Sequence, residues 1–78
     1  MEEINIDDFV SQHRNAVARQ IRGFRERKGY SQDVLAEIMG VNRSTISKIE
    51  NGRFSFSIDY LSKLSIHLNF NFSLVESK

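Results

Sequence analysis

The stretch from Ser31 to Gly52 constrains this chain most: two short apolar-faced segments, separated by a glycine and closed by Asn51-Gly52. Helices this short are marginal alone in water, so each must be held by packing against its neighbours. In the first, from Gln32 to about Met39, Ser31 is a good N-cap and Asp33 suits the opening turn. Leu35, Ala36 and Met39 share one face, and Gly40 breaks the segment. Asn42 caps the second, from Arg43 to Glu50, whose inward residues are Ile46 and Ile49. Two short helices joined through a tight glycine turn must cross steeply, and small Ala36 permits their close approach.

The flanks supply what these two helices pack on. Val17, Ile21 and Phe24 recur at helical spacing, and Val10 extends the stripe backward. The pattern predicts a helix from about Arg14 to Lys28, with a start as early as Asp7 or Asp8, ended by Gly29. Gly23 inside it costs about 1 kcal/mol relative to alanine, and nothing in the sequence explains it. Ser57 caps a fourth helix with Ile58, Leu61, Leu64 and Leu68 facing in.

After Leu68 the period changes. Phe70, Phe72 and Leu74 alternate with Asn71, Ser73 and Val75, which predicts a short strand. A lone strand leaves its backbone groups unpartnered and invites a second chain. The economical arrangement pairs it antiparallel with its copy about a two-fold axis near Phe72, making Phe70, Phe72 and Leu74 dimerisation residues. The alternative places the interface at Phe9–Val10 and leaves the strand on its own subunit.

Composition narrows the function classes. Seventy-eight residues form one domain near the lower limit for an unassisted apolar core. The absence of cysteine excludes disulfides, and two isolated histidines make no structural zinc site, so no metal and no cofactor are expected. No apolar run approaches membrane-spanning length, and Met1-Glu2-Glu3 lacks the basic start of a secretion signal, which points to a cytoplasmic protein with no membrane partner. There is no phosphate-cradling glycine loop and no histidine beside a nucleophile, so catalysis is not expected. Asp7-Asp8 and Glu2-Glu3 read as a charge bias at a helix start. The net charge of +1 hides segregation: residues 1–13 hold four acids and no Lys or Arg, whereas residues 14–30 hold six basic residues against Glu26. That basic run suits DNA phosphates and a solvated helix face equally well.

Arg14, Arg19, Arg22 and Lys28 read as a solvated face, and the case for nucleic acid rests on the second short helix. With Ile46 and Ile49 inward, Arg43, Ser44, Ser47 and Lys48 point outward from its N-terminal end and one face. Arg and Lys match guanine O6 and N7 in a major groove, and Ser can read several base edges. The run SQDVLAEIMGVNRSTISKIENGR (Ser31 to Arg53) resembles the phage-repressor and Cro-like, or XRE, helix-turn-helix family, and the likeness extends over Val17 to Leu68.

The resemblance implies an all-α, four- to five-helix, repressor-like DNA-binding domain, to which the strand reading adds a short C-terminal β-strand pairing between subunits. It implies a dimer on a near-palindromic site, with docking geometry that belongs to the family. By position, Arg43, Ser44, Ser47 and Lys48 would read bases, while Gln32, Asn42, Asn51 and Arg53 would hold phosphates. Arg25 and Glu50 fall where relatives form an ion pair. Phe54 and Phe56 depart from the family's usual polar residues or proline, and mean extra core or an interface. The domain reading is an acidic extension or helix start at 1–13, a DNA-binding domain at 14–68, and a dimerising strand and tail at 69–78. The expected function is a sequence-specific transcriptional regulator, a repressor acting as a homodimer. The alternative is an antitoxin that binds a toxin protein and autoregulates its operon.

Overall fold

A computed structural model describes residues 3–77; Met1, Glu2 and Lys78, and with them the Glu2 charge, lie outside the described residues. Four helices follow in order: α1 (Ile6–Arg27), α2 (Gln32–Met39), α3 (Arg43–Glu50) and α4 (Ile58–Leu68). None of them is long and apolar enough to cross a membrane. α2 and α3 have the limits their caps prescribe. Ser31 accepts from the Val34 N–H at 3.1 Å, and Ser57 accepts from the Tyr60 N–H at 3.0 Å. The α1 start falls at Ile6, one or two residues before Asp7 and Asp8, because Asn5 caps it by accepting from the Asp8 N–H at 3.1 Å.

One core joins all four helices. Ile21 of α1, Leu35 and Ala36 of α2, Ile46 and Ile49 of α3, and Leu64 and Leu68 of α4 are buried together. Val17, Phe24, Met39 and Leu61 pack around them, half-buried. The aromatic pair that departs from the family pattern is extra core: Phe54 and Phe56 meet edge-on at 5.2 Å, and Phe54 packs on Tyr60 at 4.8 Å. α1 outruns this core. Residues 6–13 are exposed throughout, Phe9 and Val10 included, so Val10 lies on the stripe's period but beyond the packing it serves. Gly23 has no steric reason to be glycine, since an added Cβ would make ordinary contact with the Arg27 side chain.

Two expectations are corrected. Ile58 faces solvent at 66% exposure, because it opens α4 at its first position, ahead of the turns that Leu64 and Leu68 seat in the core. The segment after Asn69 has no regular secondary structure and forms no strand among the described residues. A strand needs a neighbour for its backbone groups, and a single chain supplies none here. Its side chains do not act as one face either. Phe70 turns back onto Phe24, stacked at 4.8 Å, Phe72 follows half-exposed with its ring 6.3 Å from that of Phe70, and Leu74 is fully exposed.

Candidate nucleic-acid interface

α3 is fixed from behind and open in front. Ile46 and Ile49 are fully buried, whereas Arg43, Ser44 and Lys48 are exposed and Ser47 is half-exposed. At 100° per residue, positions 43, 44, 47 and 48 fall on one side of the helix, roughly opposite 46 and 49. Asn51 continues that side, its amide Nδ2 donating to the Ser47 hydroxyl at 3.3 Å, and Arg53 lies exposed just beyond.

The turn that aims α3 depends on local chemistry. Gly40 adopts a left-handed conformation at φ 69°, and its N–H and that of Val41 close on the last carbonyls of α2. Asn42 occupies the extended N-cap position of α3 without a side-chain cap bond, and its exposed amide makes no hydrogen bond among the described residues. At the far end Gly52 is required twice over. Its φ is 73°, and a Cβ there would collide with the Asn15 side chain of α1. The sequence marks Asn51-Gly52 as a stop; the approach of Asn15, 37 positions away in the chain, carries no local signal.

A buried polar cluster holds α3 to α1 and α2. Arg25 donates through Nε to Glu50 Oε2 at 2.6 Å and through Nη2 to Glu50 Oε1 at 3.0 Å, with the two side chains only 11% and 4% exposed. The third guanidinium nitrogen donates to the Tyr30 carbonyl at 2.7 Å. Gln32 completes the carboxylate's set, its Nε2 donating to Oε1 at 3.1 Å. Glu50 raises the Arg25 pKa by hydrogen bonding and by its charge, against the opposing effect of burial. Such a two-pronged pair fixes orientation more reliably than it adds net stability. Gln32, read from the sequence as a phosphate contact, thus spends its side-chain amide on Glu50.

A second arginine–carboxylate pair lies on the open side. Arg43 Nε approaches Asp33 Oδ1 at 3.4 Å, with both side chains largely exposed. The sequence places Asp33 only as a helix-start charge, because its partner comes from the next helix. Among the described residues no group of three or more metal-ligating side chains gathers.

This geometry is a short helix anchored by two isoleucines, with cationic and hydroxyl side chains presented outward. A family model described as helix-turn-helix matches residues 21–75. The chain belongs to the helix-turn-helix family. Its XRE-type branch is the one to which its relatives point. The HTH-type transcriptional regulator SlrR of Bacillus subtilis (strain 168) is 45% identical over 53 residues, which are 67% of this chain and 35% of that protein. The chain therefore spans about a third of that relative's length. Among solved structures, the restriction-modification controller protein C.AhdI from Aeromonas hydrophila superposes with a TM-score of 0.70 at 28% identity, covering 77% of this chain and 91% of that one. The all-α, four-helix architecture is that of this family.

Proposed function

We propose that the protein binds specific duplex DNA as a homodimer and regulates transcription, acting as a repressor. One observation carries the proposal: α3 is anchored by Ile46 and Ile49 while Arg43, Ser44 and Lys48 remain exposed on its opposite side. Eight helical residues span roughly 12 Å, a length the major groove admits. Arg43 and Lys48 read guanine edges, Ser44 and Ser47 read adjacent bases, and Asn42, Asn51, Arg53 and the α2 start at Gln32 meet phosphates. The buried Arg25–Glu50 pair keeps α3 at a constant angle to α1 while this happens. That two relatives are named as a transcriptional regulator and a controller protein supports the same reading.

The dimer is assigned to the C-terminal segment. With Phe70 engaged by Phe24 of its own subunit, the free apolar groups are Phe72, Leu74 and Val75, and Leu74 is fully exposed. Antiparallel pairing about Phe72 would give these groups cover and the backbone its hydrogen bonds. The division into an acidic start (1–13), a DNA-binding core (14–68) and a dimerising tail (69–78) follows from that assignment.

Selection of bound sequences from random duplex DNA tests the proposal. A palindromic consensus with strongly salt-dependent affinity is expected. Leu74→Asp tests the interface, since Leu74 contributes nothing to the subunit core. A monomer with weakened operator binding and unchanged helix content is expected, whereas a variant that stays dimeric moves the interface to Phe9–Val10.

A further inference from the structure

We infer that Asp33 is a positioning residue for base recognition, holding the Arg43 guanidinium by its Nε edge so that the far end meets one guanine. The inference rests on the proposal that α3 reads bases.

Arg43 stands at the first position of α3 and is largely exposed. No hydrogen bond within the described chain holds either of its terminal nitrogens, and its closest charged partner is Asp33, reached through Nε. A long free arginine must lose much rotamer freedom to dock on a base. A carboxylate at the inner edge of the guanidinium reduces that loss and leaves the outer nitrogens for a base. Asp33 itself stands in the first turn of α2, next to an anchored residue. Its neighbour Gln32 is tied to Glu50, so the first turn of α2 is connected to both ends of α3, by Gln32–Glu50 at one and Asp33–Arg43 at the other.

Two simpler roles for Asp33 make different predictions. An acid in the first turn of a helix interacts favourably with the helix dipole, which affects stability alone. A carboxylate beside DNA also repels phosphates, which weakens all sequences alike. Positioning affects discrimination at one base position and acts only through Arg43.

The experiment measures binding of the full chain to its selected operator and to duplexes changed at each position, for the Asp33→Asn, Asp33→Glu and Arg43→Ala variants and for Asp33→Asn combined with Arg43→Ala. Asp33→Asn is expected to reduce discrimination at the Arg43-dependent base by a factor of about 3 to 10, a part of what a full arginine–guanine pair provides. Asp33→Glu should restore much of that loss. In the Arg43→Ala background, Asp33→Asn should change no preference, because the coupling runs through the arginine. Equal tightening on every duplex would overturn the inference in favour of repulsion, and a lowered Tm with intact discrimination would overturn it in favour of the dipole. If Arg43→Ala itself left the preference unchanged, base reading by Arg43 would fall, and positioning with it. If Arg43→Ala relaxes the preference and Asp33→Asn does not, only the positioning role falls.

Discussion

The two ends of α3 each carry an arginine–carboxylate pair, one buried and one in solvent, and the two pairs share little but their chemistry. Inside, Arg25 and Glu50 share two short hydrogen bonds, and Tyr30 and Gln32 fill the remaining positions. Outside, Arg43 and Asp33 make one 3.4 Å approach in solvent. A buried charge must keep its partner, because losing it leaves the other stranded in a low dielectric. An exposed pair contributes little to folding, and one held through Nε alone leaves the outer nitrogens open to a further partner. The same side-chain types therefore serve as a joint at the buried end of the helix and, in the function proposed above, as a reader at the exposed end.

The largest effect should come from breaking the inner pair. Glu50→Ala should cost about 3–5 kcal/mol in unfolding free energy, a large share of the total for so small a domain. Replacing both partners, Arg25→Met with Glu50→Leu, should recover much of that loss in chemical denaturation. If the single and double variants were equally destabilised, packing rather than a stranded charge would be the cause.

Breaking the outer side should spare the fold and affect recognition. Arg43→Ala should keep its Tm and lose roughly 1–3 kcal/mol on the preferred site, with relaxed choice at one base. Arg53→Ala should weaken every sequence alike and reduce the salt slope by about one. Titrations across a salt series separate the two patterns.

Tyr60 packs against the same core and is a polar group with no partner among the described residues. Its hydroxyl is buried without a hydrogen bond in the described chain. Tyr60→Phe should stabilise by about 1 kcal/mol, since an unsatisfied buried hydroxyl is a net cost. Burial also raises the Tyr60 pKa above its ordinary value of 10.0. The unfolded chain then releases that proton first, so stability should fall as pH rises past 10.0 towards the higher folded value. Tyr60→Phe should flatten that alkaline decline, as unfolding curves between neutral and alkaline pH would show.

The smallest effect belongs to the outer pair's share in folding. Asp33→Ala should change unfolding free energy by less than about 1 kcal/mol, from the pair and the helix dipole together. A larger loss would mean that Asp33 belongs with Glu50 as part of the joint.

What the sequence alone determined lies where the physics is local. Ser31, Ser57 and Gly40 act within three or four residues of themselves, so the limits of α2, α3 and α4 follow from caps and turns that can be read in order. The period of Ile21, Leu35, Ile46, Ile49 and Leu64 likewise marks the core, because a helix repeats its faces regardless of what lies opposite. Tertiary structure decided the rest. It turned Ile58 to solvent and brought Asn15 against Gly52, Gln32 against Glu50 and Asp33 against Arg43. It also split the alternating tail, seating Phe70 against the core beside Phe24 and leaving Leu74 outside. Alternation specifies which residues share a face only once a neighbouring strand flattens the chain. Without that neighbour, each side chain settles against whatever apolar surface the folded helices leave within its reach.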